Sequence, residues 1–324
     1  MSAGRFILRR ALFAVLLVFV VSSSAFILTR LASADVSAEE SIVMDAATRA
    51  RLRAERGLDQ PLATQYADWL AHIARLDFGR SIVFSRPVDD LLAERALNTA
   101  VLAVVALVTA TIVGIPLGVY TGSHPGGMLA AVLRAGSLVV LSVPPLLASL
   151  LLVWIAARTG WLPVGGMTSA AAADGSWGAW AADLAHHVPL PALALAMPLT
   201  ATLERLQSHS INEAMRESFV SAALARGVTW QRAVGRHAWP VSLGPVLGLY
   251  GVVIGSLFSG SFVVEVVTAW PGLGRLMYDA LRARDLYLVA GCAATGALFI
   301  ALGTFASDVI LVMVDPRRRA GRRS

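Results

Sequence analysis

The chain has 324 residues and a formal charge of +6; all 27 of its basic residues are arginine, and it is 56% hydrophobic but only 15% charged. Soluble domains average roughly 25% charged residues, so this composition, with a mean hydropathy of +0.67, places the chain in the membrane class. A phosphate-binding P-loop needs a lysine and none is present, which excludes a conventional ATPase. The single cysteine, Cys292, excludes disulfides and thiolate metal sites and reads as a small buried residue.

A bilayer core needs about 20 apolar residues of helix, and six runs qualify: 7–29, 97–120, 132–157, 188–203, 241–264 and 286–314. Arg5, Arg9 and Arg10 before the first run, with Ala32-Ser33-Ala34 after it, resemble a cleavable signal. The apolar core from Ala11 to Leu28 exceeds the usual 7–15 residues of such signals, and Arg30 intervenes, so a retained helix is expected. Segment 32–96 carries mixed charge with recurring apolar residues (Leu52, Leu58, Leu62, Tyr66, Trp69, Leu70, Ile73), which predicts short amphipathic helices in a cap or a solvated loop. The fourth run holds Pro189, Pro191 and Pro198, tolerated in a span where neighbouring helices satisfy the freed carbonyls.

Charge alternates along the chain. The N-terminal tail, Arg134, segment 205–238 and the tail from Asp315 carry net +3, +1, +3 and +4, whereas 32–96, 158–187 and 265–285 carry −3, −1 and zero. Positive segments face the cytoplasm, so both termini are expected there. The basic pI near 10.3 then reflects membrane topology rather than nucleic-acid binding.

The stretch "RESFVSAALARGVTWQRAVGRHAW" lies in the largest cytoplasmic loop, 205–240. Ile211, Met215, Phe219 and Ala222 recur at helical spacing as one apolar stripe. Gly227 stands where a left-handed residue ends a helix, and Thr229 is positioned to N-cap a second helix reaching His237 or Ala238. Such a pair forms either a compact knob or an amphipathic linker resting on lipid headgroups, its arginines on phosphates.

Glu213-Ala214, then Ala223, Ala225, Arg226, Gly227 and His237-Ala238 resemble the coupling loop of bacterial ABC-importer permeases, in the variant of the dipeptide/oligopeptide/nickel permease family. "GLDQPLATQYADWL", "DFGRSIVFSRPV", "GWLPVGG", "LPALALAMPLTATLERL" and "VVEVVTAWPGLGRLMYDAL" follow that family in order, so the resemblance runs over essentially the whole chain. Departures include Phe219 for the usual Tyr and Pro240-Val241 after Trp239; Pro240 is expected to end the second loop helix early.

The resemblance implies an all-α, multi-pass type I ABC-importer permease in the bacterial inner membrane. Its expected division is an N-terminal helix (1–31), an extracytoplasmic loop (32–96), a five-span domain (97–314) and a basic tail (315–324). It implies three kinds of partner besides lipid: a second related permease, two cytoplasmic ATP-binding subunits and an extracytoplasmic solute-binding protein. ATP is used by those subunits, and no cofactor is bound by this chain. The coupling residues it implies are Glu213, Ala214, Phe219, Ala223, Ala225, Arg226, Gly227 and His237, with Arg226, Arg232 and Arg236 pairing with acids on the ATPase or with lipid. Solutes of the family are di- or oligopeptides, nickel chelates, opines or glutathione, selected largely by the binding protein.

"AWPGLG" reads as a tight turn at the extracytoplasmic mouth formed by Trp270, Pro271, Gly272 and Gly274, with Trp270 at the membrane interface. Arg284-Asp285 reads as an interfacial pair, Asp308 as a hydrogen-bonded partner of a neighbouring helix, and Glu265 as a charge facing a partner or water. Gly114/Gly118 and Gly251/Gly255 have the spacing of close helix contacts. Ser256, Ser259 and Ser261 near Glu265 lack a nucleophile elbow, which argues against an intramembrane enzyme. The absence of visible inverted repeats argues against a secondary transporter.

Overall fold

The computed structural model describes residues 3–33, 60–73, 75, 77–81, 83–173 and 175–314. Leu52, Leu58, Ala34 of the cleavage-like triplet and the basic tail 315–324 lie outside these residues.

The described chain is helical. In order come α1 (Ala3–Ser33), α2 (Leu62–Ile73), α3 (Val88–Ser123), α4 (Met128–Leu141), α5 (Pro145–Thr159), α6 (Trp177–His187), α7 (Pro189–Met215), α8 (Ser218–Ala225), α9 (Trp230–Val267), α10 (Leu273–Ala283) and α11 (Leu286–Val314). Four of these, α1, α3, α9 and α11, are long and apolar enough to cross a bilayer alone, and six spans result if α4–α5 and α6–α7 each count as one. The all-α, multi-pass expectation holds.

The third run departs from a simple span: α4 and α5 meet at 101°. Pro144 and Pro145 supply no N–H, and the ring of Pro145 holds Pro144 at ψ 146°, outside the helical region. A new helix starts with Pro145 in its first turn, where a missing donor costs nothing. Proline acts more gently in α7. Pro189 and Pro191 fall near its start, where the N–H groups have no helical partner, and only Pro198 is interior. The fourth run therefore persists, and α7 continues past residue 203 to Met215, so the loop predicted at 205–240 begins as membrane helix.

Pro240 does not end the second loop helix. Trp230–Val267 is continuous, with a π-helical turn at Ala233–Ala238 and Pro240 in the first turn of the α-helical stretch that follows. The wider turn resets the hydrogen-bond register just before the residue that cannot donate.

The most extensive pairing among the described helices is α3 against α7. A Cβ at Gly118 would lie 2.6 Å from both the Gln207 Cβ and the Glu204 carbonyl, and one at Gly114 would lie 2.8 Å from the Thr200 carbonyl. The backbones approach as the glycine spacing predicted. The second pair behaves differently: a Cβ at Gly251 would make ordinary contact with Thr304 at 3.4 Å, and one at Gly255 would meet nothing. Around this seam Leu102, Ala106, Ala110, Leu195, Leu203, Val253 and Leu257 form the main core.

The segments with alternating charge collect at two ends. At one end Arg10 pairs with Asp308, the Arg134 guanidinium donates to the carbonyls of Thr121 (2.9 Å) and Pro125 (2.8 Å), and Ser307 reaches Leu247 O at 3.3 Å. At the other Ser81 donates to Asp285 (2.6 Å), Asn98 to Pro271 O (2.8 Å) and Gly166 N to Thr268 O (2.8 Å). Among the described residues, the first end gathers Arg10, Arg134 and the 205–238 segment, and the second gathers 158–187, 265–285 and the part of 32–96 just before α3. Between α1 and α2 near the second end, Phe26, Tyr66 and Trp69 stack, Trp69 is buried, and Tyr66 donates to Ser23 at 2.9 Å. The amphipathic reading of Leu62–Ile73 is therefore met.

Candidate functional site: a helical knob and a capped turn

The knob forms where α7 stops. Helical backbone breaks at Arg216–Glu217, α8 runs for eight residues, and Gly227 turns the chain into α9. The predicted continuous stripe is split by that break. Ile211 and Met215 belong to α7, whereas Phe219 and Ala222 fall on the outer side of α8 and are exposed, Phe219 by 41%. The buried set is instead Ile211, Ala214, Val220, Ala223, Ala233, Val234 and Ala238, with Val119 from the last turn of α3 packed beneath. Mostly small residues make this core, so the three helical pieces lie close together on the end of the bundle.

Gly227 has φ +85°, the left-handed conformation predicted for it. Its N–H donates to Leu224 O (2.9 Å) and the Val228 N–H to Ala223 O (3.2 Å), the paired bonds of a Schellman cap. A Cβ at Gly227 would meet no atom within 4 Å. Backbone angle alone constrains it inside this chain. Thr229 occupies the N-cap position with ψ 149°, but its side chain makes no capping bond. Its carbonyl accepts from Ala233 N at 2.9 Å instead.

Of the implied coupling residues, Ala214 and Ala223 are buried and His237 is half-buried, while Glu213, Phe219, Ala225, Arg226 and Gly227 are exposed. Glu213 lies 3.3 Å from His209 one turn earlier. Among the described residues no carboxylate pairs with Arg226, Arg232 or Arg236; Arg226 Nε donates to Ala222 O at 3.2 Å. Trp230 is 44% exposed beside them.

The turn at the opposite end is built on Glu265. Its Oε1 accepts from Thr99 Oγ1 (2.8 Å), and its Oε2 accepts from the N–H groups of Gly274 (2.7 Å) and Arg275 (3.3 Å). Thr99 Oγ1 in turn accepts from Leu273 N at 2.8 Å. A fully buried carboxylate thus sits on the N-terminus of α10, satisfying donors that have no partner within the helix and meeting the positive end of its dipole. A Cβ at Gly272 would fall on that carboxylate, and one at Gly274 would lie 3.0 Å from it. The glycines of "WPGLG" make room for Glu265.

Two readings of this region are corrected. Trp270 is not at an interface: it is fully buried in the main core, its Nε1 donating to Asn98 O at 3.1 Å, because Pro271 and Gly272 turn the chain inward. Arg284 and Asp285 are not an interfacial pair. Arg284 adopts φ +57° as the C-cap of α10, while Asp285 is fully buried, accepts from Ser81 Oγ and Val83 N, and caps Leu288 N at 3.2 Å as α11 begins. Asp308 does pair with a neighbouring helix, through Arg10 of α1.

Sequence reasoning missed a polar layer between α3, α7 and α9. Thr121 Oγ1 donates to Glu204 Oε1 (2.5 Å) and Gln207 Nε2 to Ser242 Oγ (2.7 Å), with Glu204 and Gln207 fully buried. The four-residue spacing of Gly118 and Gly122 on the facing helix was the available signal. Among the described residues no three His, Cys, Asp or Glu side chains gather as metal ligands.

Residues 114–320 match the family model for the binding-protein-dependent transport system inner membrane component, and residues 3–87 match the model for the N-terminal part of that membrane component. The oligopeptide transport system permease protein AppB of Bacillus subtilis is 29% identical over 318 residues, 96% of this chain and 98% of AppB. A probable peptide ABC transporter permease protein of Sinorhizobium fredii is 30% identical over 320 residues, covering 98% of this chain and 99% of that protein. A putative peptide transport system permease protein of Brucella abortus is 32% identical over 318 residues, 97% of this chain and 98% of its own length. Among solved structures, a chain of the MetNI methionine ABC transporter in inward-facing conformations superposes with a TM-score of 0.52 at 17% identity, covering 69% of this chain and 96% of that one. At that identity the likeness speaks for the fold. The chain belongs to the binding-protein-dependent transport system inner membrane component family: it is a multi-pass inner-membrane permease subunit of an ABC importer, a family without its own ATPase site that works with separate ATPase and binding-protein partners.

Proposed function

We propose that this chain forms half of the translocation path of a peptide importer, paired with a second, related permease, and that two cytoplasmic ATP-hydrolysing subunits drive it through residues 211–238. The observation that carries the coupling role is the knob. It has its own small-residue core, yet exposes Phe219 and Trp230 beside Arg226, Arg232 and Arg236, none of which has a carboxylate partner among the described residues. Exposed aromatic and arginine side chains over a packed base are the composition of an interaction surface. The five-span domain 97–314, the loop 32–96 and the coupling segment 205–240 are the corresponding units, with the turn at Trp270–Gly274 as part of the extracytoplasmic mouth. A peptide cargo is supported by the curated relatives, which are oligopeptide and peptide permeases.

The test is ATP-driven uptake of a labelled oligopeptide by proteoliposomes holding the complete transporter. Gly227→Asp should abolish uptake while membrane insertion and folding persist, because the added side chain has open space within this chain. Gly227→Asn, which tolerates the left-handed conformation, should keep more activity than Gly227→Trp. Unchanged uptake with both Gly227→Asp and Gly227→Trp would refute the coupling assignment.

A further inference from the structure

At the end of the bundle opposite the knob, a cavity of about 340 Å3 opens between the start of α3, the segment before it and α10. Its walls are Phe84, Arg95, Pro271, Arg275, Leu276 and Asp279. Arg95 Nε is buried there and, among the described residues, has no hydrogen-bond partner. The nearest acid, Glu94, is 3.8 Å from that nitrogen and also lies 3.5 Å from Arg86. Arg275 spends Nη1 on Ala269 O at 2.6 Å, which fixes its guanidinium at the cavity wall. Among the described residues no carboxylate pairs with Arg275. A buried N–H left without an acceptor is costly, so a group that supplies one would be bound favourably.

We propose that this pocket binds a single carboxylate carried on a short apolar stem. With Glu94 shared between Arg95 and Arg86, three arginines stand against two carboxylates, Glu94 and Asp279, and leave one positive charge in excess, which matches a monoanion. A phosphate dianion would bring a second negative charge up to Asp279. Guanidinium groups bond carboxylates through paired N–H donors, and Phe84, Pro271 and Leu276 offer apolar surface to the stem. The proposal rests on the reading of this end as extracytoplasmic. There the carboxylate comes either from an acidic side chain of the binding protein or from a peptide cargo.

The experiment uses the complete transporter in lipid nanodiscs and phenylglyoxal, which modifies arginine. Modification is read by mass spectrometry at Arg95 and Arg275, with exposed Arg282 as the reference. Propionate should slow modification of both pocket arginines severalfold and leave Arg282 unchanged, while the neutral propionamide should protect neither. Arg95→Gln should raise the propionate concentration that half-protects Arg275 by about tenfold, the loss expected for one charged hydrogen-bond donor. Equal protection by propionamide, or none by propionate, overturns the proposal. Protection by the binding protein without cargo assigns the carboxylate to that partner; protection by a peptide but not by its C-terminal amide assigns it to the cargo. ATP-driven uptake by the same complex in proteoliposomes separates the two readings. Uptake without propionate protection defeats the pocket alone, and protection without ATP-driven uptake defeats the importer reading alone.

Discussion

The two ends of the bundle treat their polar groups in opposite ways. At the turn opposite the knob the carboxylates of Glu265 and Asp285 are fully buried and bonded to the N-termini of α10 and α11. At the knob Glu213 is 67% exposed beside an exposed histidine, and three arginines have no carboxylate partner among the described residues. Charge consumed inside the chain fixes architecture. Charge and aromatic surface left over above a packed base are available to another molecule.

That contrast can be broken at the Glu265 end first. Glu265→Ala removes the acceptor for Thr99 and two backbone N–H groups, and each orphaned buried donor costs about 1–3 kcal/mol. It should produce the largest fall in the thermal unfolding midpoint of the purified protein, whereas Phe219→Ala at the knob should leave the midpoint nearly unchanged and reduce ATP-driven uptake. Equal stability losses from the two would erase the distinction. Next, Gly118→Leu forces a side chain into Gln207 and the Glu204 carbonyl, an overpacking worth about 1–3 kcal/mol, measurable in the same unfolding assay. Gly227→Ala should cost about 1 kcal/mol, a backbone term only, since its Cβ meets nothing. Smallest is Arg10→Ala: Arg10 and Asp308 are about one-third exposed (32% and 28%), so screening limits the pair to about 0.5 kcal/mol.

What the sequence made readable was local or periodic. Gly227 announced itself because few other residues tolerate its angle, and Gly114 and Gly118 because their spacing stacks them on one face. Charge alternation anticipated that, among the described residues, Arg10 and Arg134 lie at the end opposite Asp285 and Glu265. The capping role of Glu265 could not be read, since Thr99 is 166 residues away and the backbone donors exist only once α10 starts. Asp285 and Ser81 are 204 residues apart for the same reason. Trp270 misled because an aromatic at the edge of an apolar run looks like a belt residue, and only the fold tucks it into the core. Proline was misread twice, in opposite directions. The pair at Pro144–Pro145 breaks a run that looked continuous, and Pro240 leaves intact a helix it was expected to stop, because a π turn precedes it.

Coupling to an ATP-hydrolysing partner requires residues 211–238 to stand on the cytoplasmic side, within that partner's reach. Arg226→Cys is the most direct probe: the native Cys292 is buried, so a membrane-impermeant maleimide reports the introduced thiol. Labelling should occur in inside-out vesicles, be absent in right-side-out vesicles, and fall when the ATPase subunits are added back. Labelling from the outer face would place the knob beyond the reach of any ATPase and contradict the coupling role.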